Sequence, residues 1–389
     1  MKTSFIQSGP KANSGISIVE TLIGLMLSLI IIAVMGGTYL SNKRTFRTTN
    51  QVARIQENAR TSMEIMMTDL RMAGYMGCNS DMRNLLDTSD PGYSPELFDP
   101  TRAISGWEFT GTGPGESYTM TTYDPATASA SDWASESGAA LNTALDGLVV
   151  PGTDVIAVKR LEGPIVATPA NNNNINNNNL GLNQTSNVAQ DSIVLVTNCK
   201  GGDLFMNVSN SNATTMSKGG AGGHTPGNAT GPANKWRNKW QSTDEIYLLS
   251  SSVYFIGIGA NGNPALFTLP FDQGVSGLGA PLELVEGVEN MQVLSGEDLD
   301  ADKIADRFLP LDEVTDATQV VSARITFMFR TLEETVDVVD ATSRFDMTNG
   351  IAIQPSASPT ADSTTVDPLD DQHIRYVTGS TIHLRNRVL

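Results

Sequence analysis

GISIVETLIGLMLSLIIIAVMGG, Gly15 to Gly37, is the stretch from which the rest of the chain can be read. No charged residue follows Glu20 until Lys43, and the apolar run from Ile16 to Leu40 is long enough to cross a hydrocarbon core as a helix, which takes about 20 residues. Two features set it apart from an ordinary anchor. The carboxylate of Glu20 lies just inside the run, where an unpaired charge costs about 2.5–3.5 kcal/mol, so it needs a partner. The leader from Met1 to Gly15 carries Lys2 and Lys11 and stops at a glycine before the apolar run, whereas a secretory signal has its cleavage site after the apolar core.

Downstream, no proline occurs between Pro10 and Pro91, so residues Ile16 to Ala73 are predicted to form one helix, about 85 Å long at 1.5 Å per residue. In its second half Val52, Ile55, Ala59, Met63, Met66, Leu70 and Ala73 recur at spacings of three and four, with Arg54, Glu57, Arg60, Glu64, Asp69 and Arg71 between them. That is one apolar stripe, suited to lie on a sheet. Gly36 and Gly37 are its weak point, each costing up to about 1 kcal/mol in a helix interior. Either the helix bends or melts there in a filament, or the glycines let helices pack closely.

The order basic leader, Gly15, apolar Ile16 and a glutamate four residues on resembles the class III signal of type IV pilins and pseudopilins. The resemblance implies that a prepilin peptidase cuts between Gly15 and Ile16 and methylates the new amino terminus. It also implies that Glu20 pairs with the N-terminal ammonium of a neighbouring subunit during assembly. A signal anchor that happens to carry a glutamate is the alternative. LRMAGYMGC (Leu70 to Cys78), SSSVYFIG from Ser250, LVEGVENMQVLSGED from Leu284 and the terminal TIHLRNRVL narrow the resemblance to PilW-type minor pilins, over the whole mature chain. The implied fold is α+β and pilin-like, a long N-terminal helix packed on an antiparallel β-sheet body with long loops. Its parts would be a leader (1–15), a transmembrane and assembly half-helix (16–40), an amphipathic half-helix (41–74) and a β-rich body (75–389).

Composition agrees. The 389 residues carry a net charge of −17, and without the two leader lysines the charge is −19. No nucleic-acid partner is expected, since phosphates require a basic surface. There are two cysteines, Cys78 and Cys199. If the body lies outside the cytoplasm, as the signal implies, the even pair reads as one disulfide, worth roughly 4 to 5 kcal/mol on the chain-entropy model. Two buried free thiols are the alternative.

In the body, Asn79 to about Asp146 reads as loops over a sheet. Strands are expected in TDVIAVKR from Thr153, SIVLVTN from Ser192, EIYLLSSSVYFIGI from Glu245, PALFTLP, APLELVEGVENMQVL, VVSARITFMFRTLEE and STIHLRNRVL. Ala323, Ile325, Phe327 and Phe329 alternate with Arg324, Thr326, Met328 and Arg330, which predicts one buried and one mostly polar face. NNNNINNNN (171–179) and the Gly, Asn and Ser tract over 200–234 read as flexible loops. The tract runs into KWRNKW, where Trp236 and Trp240 either form a binding surface for a glycan, a pilin neighbour or a single strand, or cap a core edge.

The sharpest chemical pattern is DLDADKIAD. Asp298, Asp300, Asp302 and Asp306 take the first, third, fifth and ninth places of a calcium loop, with the carbonyl of Ile304 at the seventh. Lys303 stands where glycine makes the sharp turn, and Leu309 is at the twelfth place, with Asp312 or Glu313 as substitutes. Ca²⁺ and a solvated acidic turn are both compatible with it. No catalytic motif is present: His224, His373 and His383 are scattered, and there is no HExxH, GxSxG or phosphate-binding loop.

The expected function is therefore assembly, not turnover. The resemblance implies a minor pilin acting in pilus initiation or the tip complex, with prepilin peptidase, other minor pilins, the major pilin and the inner-membrane assembly platform as partners. The chain would sit in the inner membrane with its body in the periplasm, then in the pilus at the cell surface. A type II secretion pseudopilin and a tip adhesin are the alternatives.

Overall fold

The proline-free N-terminal sequence folds as one α-helix, α1 (Ile18–Met72). The computed structural model describes residues 15, 17–77, 81–219, 222–333, 345–347, 350–355 and 373–387. The chain divides into two compact units, Met1–Asn50 and Gln51–Leu389.

In the first unit the apolar side chains from Ile18 to Leu40 are exposed. Among the described residues this is the one helix long and apolar enough to cross a membrane. Gly36 and Gly37 remain helical, with open space where a Cβ would stand.

In the second unit the predicted stripe is buried at Ile55, Ala59, Met63, Met66, Leu70 and Ala73, while Val52 is half-buried. Gln51, Ser62 and Asp69 are buried too, so the contact face is wider than the apolar stripe and partly polar.

The body contains β1 (Met82–Asn84), α2 (Pro95–Phe98), β2 (Ile104–Phe109), β3 (Ser117–Met120), β4 (Trp133–Ala134), β5 (Val155–Glu162), β6 (Asn179–Gly181), β7 (Ile193–Asn198), β8 (Gly201–Met206) and β9 (Thr215–Ser217). Next come β10 (Glu245–Ile258), β11 (Pro264–Pro270), β12 (Leu282–Glu286), β13 (Val288–Glu297), β14 (Arg307–Pro310), β15 (Val320–Arg330), β16 (Phe345–Asp346), β17 (Ala352–Pro355) and β18 (Arg375–His383). The large sheet runs β1-β8-β7-β10-β5-β2-β4, and β11 and β12 extend it from β10. A second, antiparallel sheet runs β14-β13-β15-β18.

Strand β5 shows how the core is laid out. Ile156 and Val158 join the cluster that holds the helix residues Met63, Met66 and Leu70 together with Val293, Ile325 and Phe327 of the second sheet. Val155, Ala157 and Leu161 point the other way, into a cluster with Trp107, Leu195 and Phe255. Both faces are covered, hence the apolar run Val155 to Val158 with no polar alternation.

The structure departs from expectation in five places. APLELVEGVENMQVL is two strands, β12 in the large sheet and β13 in the second, parted at Gly287 with φ +82°. Residues 81–146 contribute β1 to β4 rather than loops alone, and β2 lies inside the large sheet between β5 and β4. ISGWEF hides this because Ile104 is its one β-branched residue and Gly106 weakens a strand reading. A Cβ at Gly106 would come within 2.0 Å of the Val155 carbonyl, so close strand approach requires glycine. The polar face of β15 is also buried at Thr326, Met328 and Arg330. The Gly-rich tract contains β8, whose six residues are all buried. The asparagine tract is internally bonded: Asn173 donates to the carbonyls of Ala170 (2.8 Å) and Gly181 (3.1 Å) and accepts from the Gly181 N–H (2.7 Å).

Candidate functional site

Gly15 is exposed, and Ile16 lies outside the described residues. Ser17 opens α1: its hydroxyl accepts the Val19 N–H at 3.3 Å, and its carbonyl accepts from Thr21. Glu20 sits three residues later in the first turn, exposed and without an ion pair among the described residues. Ser17 and Glu20 thus stand at capping-box spacing, a signal the sequence reading missed. A first-turn carboxylate is also favoured by the helix dipole, which gives Glu20 a local reason to exist.

At the other end of α1 a polar lock fastens the helix to the large sheet. Asp69 pairs with Arg160 of β5 and accepts a hydrogen bond from the Tyr254 hydroxyl of β10 at 2.9 Å. Burial, reinforced by the Asp69 charge, pushes the Tyr254 phenol well above its ordinary pKa. Asn58 donates to the Glu286 carbonyl at 2.8 Å, and Asn386 caps the carbonyls of Met72 and Ala73 at 3.1 and 3.2 Å. Backbone bonds from Gly74 to the Lys159 carbonyl and from Leu161 to the Tyr75 carbonyl continue the joint past the helix end.

The GVENMQV segment turns out to be a clamp. Asn290 and Gln292 both donate to the Gly152 carbonyl, at 2.8 and 2.9 Å, and Glu289 forms a buried pair with Arg375 of β18 at 2.7 Å. Nearby, Asp154 acts as a piece of strand: its backbone N–H donates to the Met291 carbonyl and its carboxylate accepts the Val293 N–H at 2.7 Å. Glu108, from β2, lies beside it, buried. Burial, and then the neighbouring Asp154 charge, pushes the Glu108 carboxyl far up. Burial likewise carries Asp154 to about 7 against hydrogen bonds that favour its ionised form. Lys159 is also fully enclosed, held by the Glu96 carbonyl and the Ser105 hydroxyl, and burial lowers its pKa to about 8. None of these buried ionisable groups was legible as special in the sequence, since burial depends on which strands meet.

The acidic loop joins β13 to β14. Carboxylate oxygens of Asp298, Asp300 and Asp306 lie within 4.8 Å of one another. Asp302 is turned to the Ile304 N–H at 2.8 Å and is not in this group. Lys303 adopts φ +74°, so the turn that glycine makes in a calcium loop is made here by a lysine in the left-handed region. Burial alone would raise the Asp298 pKa, but hydrogen bonds from the N–H groups of Lys303 and Ala301 hold it below its ordinary value. Asp312 and Glu313 do not join the loop; with Glu108 and Glu116 they line a separate cavity of about 440 Å³. The three converging oxygens can hold one hard cation, the rest of a six-to-eightfold shell coming from other oxygens and water.

The tryptophans take the core-edge alternative. Trp236 and Trp240 are buried, so neither presents a stacking face. Trp236 meets Phe205 edge-on at 4.9 Å, and the Lys218 ammonium lies 4.5 Å from its ring centre. Arg237 pairs outward with Asp81. Cys199 is exposed in the turn between β7 and β8 and is not a free thiol; Cys78 lies outside the described residues.

A helix that is apolar in its first half, amphipathic in its second, and docked there on antiparallel sheets is an α+β, pilin-like fold. Residues 253–386 match the family model of PilW, the type IV pilus-assembly protein W, which supports a PilW-type type IV pilus protein with a part in pilus assembly. The match begins within β10 and includes the clamp and the acidic loop; α1 lies before it. No curated protein and no solved structure matches the chain.

Proposed function

We propose that this chain is a minor pilin, cut between Gly15 and Ile16 by a prepilin peptidase and built through α1 into the initiating or tip complex of a type IV pilus. The observation that carries the reading is the PilW match of residues 253–386. The continuous helix with an exposed apolar half supports it, because such a surface is stable only in lipid or among other helices. Other minor pilins, the major pilin and the inner-membrane assembly platform are the partners of this proposal, with the inner membrane and then the pilus surface as its locations. Glu20 would set the axial register of the subunit. A Glu20→Ala chain is expected to insert and be cleaved but to stay out of sheared filaments, as read by immunoblot. Normal piliation in that strain defeats the register role, and lost secretion with intact pili assigns the chain to a secretion system.

The convergence of Asp298, Asp300 and Asp306 favours a second, compatible reading, that the acidic loop takes Ca²⁺. Calcium at a hundredfold excess over its dissociation constant is expected to stabilise the chain by about 2.7 kcal/mol. The shift should vanish in an Asp298→Asn/Asp306→Asn variant, and a melting temperature indifferent to calcium or to chelation removes the ion from the account.

A further inference from the structure

A groove of about 530 Å³ opens where the end of α1, the end of β5 and the C-terminal segment meet. That volume falls in the range of pockets that seat small ligands and peptide anchors, about 300–1,000 Å³. Its floor is apolar: Leu161 is buried, while Met72 and Tyr75 remain 43% and 39% exposed. Three arginines line it, Arg71, Arg160 and Arg385.

The three are not equivalent. Arg160 is neutralised by Asp69 and Glu162, which makes it a fixed wall. Arg71 and Arg385 are exposed and pair with no carboxylate among the described residues. Three arginines against two carboxylates, Asp69 and Glu162, leave one net positive charge beside the apolar floor, so on a chain with 42 acidic and 25 basic residues the local field is opposite in sign to that of the whole. Proximity to a helix C-terminus is reason enough for Arg71. It does not account for Arg385, which is off the helix and next to Asn386, the residue that fixes this segment to the Met72 and Ala73 carbonyls.

We propose that this groove binds an acidic peptide segment of a partner protein, with carboxylates on Arg71 and Arg385 and an apolar side chain on Met72, Tyr75 and Leu161. The planar guanidinium fork matches a carboxylate in two parallel hydrogen bonds. Tyrosine and arginine around an apolar centre are also the residue types that dominate protein interfaces. An inorganic phosphate or a lipid headgroup would use the charges and leave the floor open. The inference stands whether or not the chain is processed as a pilin.

The test uses the full chain in detergent and two fluorescein-labelled octapeptides, one alternating Glu with Leu and one alternating Lys with Leu, followed by anisotropy at low and high salt. The Glu peptide is expected to bind, with weaker binding at high salt. An Arg71→Ser/Arg385→Ser variant is expected to lose about tenfold in affinity, with its melting temperature lowered only by the loss of the Arg71 charge at the helix end, because both side chains are exposed. An Arg71→Lys/Arg385→Lys variant should recover part of the loss. Absent or equal binding of the two peptides overturns the proposal, as does an unaffected serine variant. Displacement of the Glu peptide by phosphatidylglycerol vesicles overturns it in favour of a membrane surface.

Discussion

Asp154 and Glu108 concentrate the chemistry of the body into two side chains. One carboxylate completes the edge of β13, accepting the Val293 N–H, and the other accepts the Leu311 N–H at 3.3 Å. Both are buried, so holding two negative charges there is unfavourable and a proton is retained. Asp154 titrates near 3.8 when unfolded and near 7 when folded. Across that window the folded chain binds more protons than the unfolded one, so this group's contribution is full below pH 3.8 and is lost as pH rises through about 7. Asp154→Asn keeps an acceptor for Val293 while removing a titrating group. Melting temperatures between mildly acidic and neutral pH are expected to fall less steeply with pH in the variant than in the parent. Identical slopes would mean that the dyad does not hold its proton. The sequence shows a Glu and an Asp far apart in the chain; only the pairing of β2 with β5 brings them together.

At the scale of elements, α1 is held by packing and by one polar lock. Met66 and Leu70 are fully buried, and truncating such residues to alanine typically costs about 2–5 kcal/mol. Asp69 differs in kind: its removal leaves Arg160 with only the exposed Glu162 and leaves the Tyr254 hydroxyl without its acceptor. Asp69→Ala is therefore expected to lower stability by about 3 kcal/mol, measured by denaturant unfolding of the solubilised chain. A loss within about 0.5 kcal/mol, the usual range for surface changes, would falsify the lock. The stripe of apolar residues in α1 was legible because it repeats at helical spacing. Asp69 read as part of the solvent face for the same reason, since periodicity cannot see that a sheet arginine lies opposite. For KWRNKW the sequence left a binding surface and a core edge both open, and the structure takes the core edge. Its composition suits an exposed aromatic patch, yet Trp236 and Trp240 fill a cluster with Phe205 and Ile246.

At the scale of the whole molecule, an acidic body follows an apolar half-helix, and the proposed processing would change only the first part. If the leader is removed as proposed, intact mass and N-terminal sequencing are expected to show an N-methylated chain starting at Ile16. If Cys78 and Cys199 form the proposed bridge, reduction is expected to add the mass of two hydrogens. A Met1 start would sink the prepilin proposal, and an unchanged mass on reduction would sink the bridge. The sequence by itself determined the long helix, most of the strands from β5 onward, the candidate processing point and the acidic loop. All of these are written in local spacing, composition or motif, which a chain carries before it folds. Only the tertiary structure decided that β2 and β8 are interior strands, that both faces of β15 are covered, and that Asp302 stands apart from its three neighbours. It alone places Arg71 and Arg385 around one groove, because burial and convergence depend on segments that meet only after distant strands have paired.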